Sequence, residues 1–127
     1  MAEVTFYRCA KCGNLVAVVE KGTCVPQCCG QPMVKLEAGS VDAATEKHVP
    51  AVTREGGKIK VQVGEVEHPM LDAHYIEWIL LETKEGRQRK TLKPSEKPVA
   101  VFSLAAGDEV IAAYEYCNLH GLWKATV

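Results

Sequence analysis

Four histidines and one cysteine, all beyond residue 47, are of the types that hold transition metals. His48 lies in Glu46-Lys47-His48-Val49-Pro50, His68 in Glu67-His68-Pro69-Met70, and His74 in Asp72-Ala73-His74-Tyr75. Cys117 and His120 share the run Glu115-Tyr116-Cys117-Asn118-Leu119-His120-Gly121. Neutral imidazole and thiolate are the usual protein ligands for first-row metals. A structural zinc site closes at four donors, so five point to iron or copper with a vacant position. A lone histidine is usually a hydrogen-bonded surface or core residue. That account would need every histidine of the chain to be incidental. Cys117 alone could be a buried core cysteine, but it ends a predicted strand three residues before His120, which suits a ligand loop.

The other five cysteines fall within residues 9–29: Cys9, Cys12, Cys24, Cys28 and Cys29. Cys9-x2-Cys12-Gly13 is a metal knuckle, in which the spacing turns both sulfurs toward one ion. Cys28-Cys29-Gly30 is less usual, because neighbouring side chains diverge and would distort a tetrahedron. On spacing alone, Cys24 with Cys28 is the more ordinary second pair. A four-thiolate site suits zinc and a single iron equally.

The segregation of the two donor sets predicts two modules, residues 1–37 and 38–127, linked through Glu37-Ala38-Gly39-Ser40. A segment as short as the first cannot bury enough apolar surface to fold alone, so a metal or a partner chain must staple it. The net charge of −1 argues against a general nucleic-acid binder. The apolar stretches at 76–81 and 99–106 are too short to span a membrane. The N-terminus lacks a basic region followed by an apolar run, so a cytoplasmic address is the expectation. In a reducing compartment the cysteines read as ligands rather than disulfides.

The elements that must position the second donor set read as strands. Lys58-Ile59-Lys60-Val61-Gln62-Val63 alternates polar and apolar, as a half-buried strand does. Glu55-Gly56-Gly57 before it signals a hairpin turn. Residues 75–83 form an aromatic and branched run, followed by a turn at Lys84-Glu85-Gly86. Residues 99–104 and 110–116 supply two more strands around Ala106-Gly107-Asp108, and Pro94 and Pro98 sit in loops. This spacing predicts an antiparallel sandwich with no amphipathic helix and no internal repeat.

Taken in order, the motifs resemble the superoxide reductases, and in particular the two-iron desulfoferrodoxins, over almost the whole chain. The markers are Cys9-x2-Cys12, Cys28-Cys29, Glu46-Lys47-His48-Val49-Pro50, His68-Pro69-Met70, His74-Tyr75-Ile76 and Glu115-Tyr116-Cys117-Asn118-Leu119-His120-Gly121. The resemblance implies an all-β chain: a small desulforedoxin- or rubredoxin-like module, then an immunoglobulin-like, neelaredoxin-like sandwich. It implies two irons. One is held by Cys9, Cys12, Cys28 and Cys29, which leaves Cys24 a free thiol. The other is held by His48, His68, His74 and His120 in a plane with Cys117 axial.

The implied activity is one-electron reduction of superoxide to hydrogen peroxide at the ferrous site, without oxygen production. Glu46 is implied as a ligand that closes the oxidised resting site, and Lys47 as a positive charge beside the incoming anion. Pro50 and Pro69 would stiffen the ligand loops, and Trp123 would pack over the site. Rubredoxin or a similar small donor, and a homodimer built partly through the N-terminal modules, are the implied partners.

Three other readings compete. A blue-copper electron-transfer domain would need a methionine after Cys117, but Met70 is the last one, and two histidines would be surplus. A binding module with zinc at both sites, the first a plain zinc ribbon, would be colourless and catalyse nothing. A zinc hydrolase is weaker, because four imidazoles and a thiolate leave a poor Lewis acid.

Overall fold

The computed structural model describes residues 4–40 and 43–127. The chain divides into two compact units, Met1–Glu37 and Ala38–Val127. In the first, β1 (Phe6–Arg8) pairs with β2 (Leu15–Ala17) and β5 (Val34–Lys35), and β3 (Gln27–Cys28) pairs with β4 (Gln31–Pro32). These strands are two or three residues long. Few of the unit's side chains are buried, among them Val4, Phe6, Cys9 and Met33. So little burial cannot offset the backbone entropy of ordering the unit, and its sulfurs must contribute to its stability.

The second unit is an antiparallel β-sandwich. One sheet has the order β10-β7-β6, built from β6 (Pro50–Glu55), β7 (Lys58–Val63) and β10 (Val99–Ser103). The other has the order β12-β11-β8-β9, built from β8 (Ile76–Thr83), β9 (Gly86–Thr91), β11 (Val110–Cys117) and β12 (Gly121–Thr126). All pairs are antiparallel. The core between the sheets holds Ile59, Val61 and Val63 of β7, Ile79 and Leu81 of β8, Ala100 and Phe102 of β10, and Ala113 and Cys117 of β11. Each large apolar side chain buried there contributes about 1.5–3 kcal/mol. The strict alternation of β7 faces Lys58 and Lys60 outward and Ile59 and Val61 inward.

Two strands carry no clear apolar pattern. β6 opens on Pro50 and runs into Thr53-Arg54-Glu55, while β9 is exposed along its whole length. The Gln88 amide of β9 donates to the Ser103 carbonyl of β10 at 2.9 Å, and the Lys90 ammonium donates to the Val101 carbonyl. These side chains cover the open edge of β10, as sheets require to avoid pairing with other chains. α1 (Thr45–His48) is a single turn. Among the described residues, no helix is long and apolar enough to cross a membrane.

The topology gathers one set of strand ends. Pro50 at the start of β6 pairs with Val63 at the end of β7, and Cys117 at the end of β11 pairs with Ile76 of β8 and Gly121 of β12. Everything that flanks those ends is collected at one pole of the sandwich.

Candidate metal centres

The five donors of the second unit come from those strand ends. α1 carries His48 just before β6. His68 follows β7, with its N–H bonded to the Val63 carbonyl at 2.9 Å. His74 closes a tight turn through reciprocal backbone bonds with Leu71 at 2.9 and 3.0 Å, just before β8. Cys117 ends β11, and His120 lies in the turn to β12. The four ring nitrogens and the Cys117 sulfur lie within 4.8 Å of one another.

The rings form a square. Neighbours are His48–His68 at 4.6 Å between centroids, His68–His74 at 4.6 Å, His74–His120 at 5.0 Å and His120–His48 at 4.8 Å, all within about 11° of perpendicular. Across the square, His48 and His74 are 6.5 Å apart and nearly parallel. Donors about 2.1 Å from a metal, at right angles, stand about 3.0 Å apart. His48 Nε2 is 3.0 Å from His120 Nδ1 and 3.2 Å from His68 Nε2. The Cys117 sulfur is 3.6 Å from His68 Nε2 and 3.9 Å from His120 Nδ1, two opposite corners. It therefore lies off the plane, near the axis of the square. The donors present fit a five-coordinate iron.

Local bonds choose which nitrogen faces the centre. His48 Nδ1 donates to the Ala44 carbonyl at 2.8 Å and His68 Nδ1 to the Pro69 carbonyl at 2.7 Å, so both turn Nε2 inward. His74 Nε2 is buried without a hydrogen-bond partner, a state that a metal would relieve. His120, only three residues from Cys117, presents Nδ1 instead. Burial holds His48, His68 and His74 below the usual imidazole range, His68 at about 4, so these rings stay neutral, as ligands must be. Cys117 is fully buried in the core, which pushes its thiol up, while the Leu119 and His120 N–H groups oppose that shift.

The neighbours are arranged unevenly. Glu46 and Lys47 are exposed, and the Glu46 carboxylate lies outside the five-donor set. After burial, the Lys47 charge also disfavours protonation of His48 and His74. It is the only basic residue within two positions of any of the five donors, whereas Glu46, Glu67 and Asp72 are acidic. Pro50 opens β6, and Pro69 supplies the carbonyl that orients His68. The Met70 sulfur accepts the Ile76 N–H at 3.3 Å, which removes it from the role a blue-copper site would need.

Sequence reasoning underrated two residues here. Trp123 packs its ring on His48, 5.0 Å between centroids, and donates its indole N–H to the His120 carbonyl at 3.0 Å. It braces two ligands rather than merely covering them. Gly64, directly after β7, lies where an added Cβ would stand 2.6 Å from the Glu46 carbonyl oxygen and 2.9 Å from both the Lys47 carbonyl carbon and the Val49 carbonyl oxygen. An isolated glycine at a strand end was the available signal of close backbone approach. Glu115 is also unexpected. Its carboxyl is fully buried without a hydrogen-bond partner, and burial pushes it up to about 9, so it keeps its proton at neutral pH.

In the first unit the sulfurs of Cys9, Cys12, Cys28 and Cys29 lie within 4.8 Å of one another. Cys12 and Cys28 are 3.6 Å apart, and Cys28 and Cys29 are 3.9 Å apart. Tetrahedral thiolates about 2.3 Å from an ion stand about 3.8 Å apart, so four sulfurs fit one metal. Cys29 adopts φ +55°, the left-handed conformation that lets adjacent cysteines face one point. Cys24 is exposed and outside the group. The Cys12 N–H, 3.5 Å from the Cys9 sulfur, pulls Cys9 down to about 6, while the Cys12 sulfur pushes Cys28 up and Cys29 up to about 12. Four thiols this close cannot all ionise without a cation between them.

Known proteins carry the same two-part pattern. The desulfoferrodoxin family model matches residues 40–126, and that of the desulfoferrodoxin N-terminal domain matches residues 2–36. The chain is 47% identical to the desulfoferrodoxin of Nitratidesulfovibrio vulgaris over 119 residues, which is 94% of this chain and 93% of that one. It is 46% identical to a desulfoferrodoxin homolog of Archaeoglobus fulgidus over 119 residues, 94% of each chain. The crystal structure of the superoxide reductase from Treponema pallidum superimposes with a TM-score of 0.84 at 38% identity, covering 98% of this chain and 100% of that one. With both family models matched in order and each metal-binding cysteine and histidine set gathered in its own unit, the chain belongs to the desulfoferrodoxin family.

Proposed function

We propose that the chain is a superoxide reductase, an oxidoreductase that reduces superoxide to hydrogen peroxide without releasing oxygen. The observation that carries this reading is the square of four imidazoles with the Cys117 sulfur near its axis. The four imidazoles and Cys117 would hold a ferrous iron, which would supply one electron and a place for the anion to bind. The balanced change is one superoxide, one electron and two protons to one hydrogen peroxide.

The remaining work belongs to the chain. Neutral imidazoles and one thiolate leave a ferrous site with a net charge of about +1, which attracts a small anion. The Cys117 thiolate would donate electron density to an iron held there, as thiolate ligands do in haem proteins. Lys47 adds positive charge on the solvent side, where the nearby carboxylates would otherwise repel the substrate. Glu46, exposed and two residues from His48, is the carboxylate suited to close the open position in the oxidised resting state. Protons arrive from solvent.

On this reading residues 1–37 form a desulforedoxin-like module with its own iron, and residues 38–127 form the catalytic sandwich. A small protein donor such as rubredoxin restores the electron. Val16, Val19, Val25 and Val34, exposed on the first unit, support a homodimer built partly through that module. Six cysteines that include a four-sulfur ligand set support residence in a reducing compartment, the cytoplasm.

Two measurements test the proposal. Protein made with adequate iron should carry two irons per chain and consume superoxide when reduced; zinc in both sites of natively sourced protein, with no superoxide consumption, overturns it. Lys47→Ile should slow the second-order reaction of the ferrous protein with superoxide about tenfold. A unit pair about 6 Å apart in an effective dielectric of about 40 interacts by about 1.4 kcal/mol, which is that factor. The salt dependence should flatten too, since exposed charges are screened over about 8–10 Å at physiological ionic strength. Lys47→Arg should keep most of the rate. A wild-type rate for Lys47→Ile at low ionic strength would make Lys47 a plain surface charge.

A further inference from the structure

We infer that Asn118 is a positioning residue that sets the direction of His74 toward the metal. His48 and His68 fix their own rings through Nδ1 bonds to backbone carbonyls. Among the described residues no hydrogen bond orients the His74 ring, whose buried Nε2 is left free for the metal. The direction of that ring therefore depends on how its main chain is held.

Asn118 holds it from both sides. Its side-chain Nδ2 donates to the Ala73 carbonyl at 3.1 Å, and its Oδ1 accepts the Tyr75 N–H at 2.9 Å. Its own N–H donates to the Tyr75 carbonyl at 3.2 Å. The residues immediately before and after His74 are thus gripped by one asparagine, which itself sits between the ligands Cys117 and His120. One side chain fixes the spacing between the Cys117–His120 loop and the His74 turn.

The chemistry of the grip selects asparagine. It needs one donor and one acceptor at the same reach. Aspartate lacks the donor, serine is too short to span both groups, and glutamine is one methylene too long. Partners that bond a metal ligand directly typically change metal affinity by about 10–100-fold, and a grip on the ligand's two chain neighbours should lie at the lower end of that range.

The inference rests on the assignment of His74 as a ligand, but not on superoxide turnover, so its readout is metal retention. The experiment loads the full chain with ferrous iron under anaerobic conditions and follows the rate and extent of loss of the second iron to a chelator. Asn118→Ala should raise the affinity loss roughly tenfold while the four-cysteine iron stays bound. In a His74→Ala background, Asn118→Ala should add nothing, because its target is gone. Full additivity of the two losses would mean that Asn118 only stabilises the loop, and would overturn the inference. Iron retention at the wild-type level in Asn118→Ala would overturn it as well. Wild-type retention in His74→Ala alone would sink the ligand assignment, and the inference with it. If Asn118→Ala does not fold, the milder Asn118→Ser carries the same cycle.

Discussion

Cys117→Ser should abolish the reaction with superoxide, whereas Cys12→Ser should spare it. The serine hydroxyl does not ionise near neutral pH, so the site loses its only anionic donor and the electron density that a thiolate supplies. The loss should exceed about a hundredfold, the upper end of what a supporting partner of a ligand typically costs. Cys117 also belongs to the hydrophobic core. The buried hydroxyl therefore adds a stability penalty of about 1–3 kcal/mol if left unpaired, and folding must be checked by circular dichroism. Cys12→Ser removes one sulfur from a separate four-sulfur set, so pulse radiolysis of the reduced variant with an artificial donor should find the fast reaction intact. A fast reaction in folded Cys117→Ser, or its loss in folded Cys12→Ser, would mean that the chemistry lies elsewhere.

Gly64→Ala should damage the same site without touching a ligand. The new methyl would meet backbone atoms of Glu46, Lys47 and Val49 at 2.6–2.9 Å. Backbone cannot swing aside as a side chain does, so the segment carrying His48 must move. Overpacking of this kind costs about 1–3 kcal/mol, and a displaced His48 leaves the square short of a corner. The variant should show a lower melting temperature and hold about one iron per chain, with the four-cysteine iron retained. Gly57→Ala is the control, since its added Cβ meets nothing nearer than the Leu104 carbonyl oxygen at 3.9 Å. Equal iron content in the two variants would show that the close approach at Gly64 is not limiting.

What the sequence made legible follows from what side chains reveal. β7 was readable because its outward lysines alternate with inward Ile59, Val61 and Val63. The strands at 76–83, 99–103 and 110–117 differ from their predicted spans by a residue at one end. β9 was not readable, since Gly86-Arg87-Gln88-Arg89-Lys90-Thr91 contains no apolar residue. It is a strand because β8 offers it a pairing edge, which is a property of the assembled sheet. β6 hid behind its leading proline, and β12 behind a brief apolar signal just after the ligand loop.

The site follows the same division. Imidazoles and thiols announce themselves by rarity and type. The choice of Nδ1 at His120, the grip of Asn118 and the close approach at Gly64 are matters of backbone placement, which no local pattern encodes. Spacing alone made Cys24 with Cys28 the more ordinary pair. A left-handed Cys29 brings the adjacent sulfur in instead, and conformation at a single residue is beyond what spacing can specify.

The two donor sets differ in how far along the chain they reach, and that difference has a consequence for biosynthesis. The sulfur set closes within residues 9–29, so a short stretch emerging from a ribosome already holds all its donors. The imidazole–thiolate set runs from residue 48 to residue 120, and besides the local hairpins β6–β7 and β11–β12 it depends on the distant pairing of β8 with β11, which sets Ile76 beside Cys117. Such pairings form late. The first iron can be captured by a nascent chain, whereas the second can enter only a finished sandwich, through its open pole. Under iron scarcity the two sites of this chain should therefore fill on different clocks, and the half-loaded chain expected to accumulate is the one holding the four-cysteine iron.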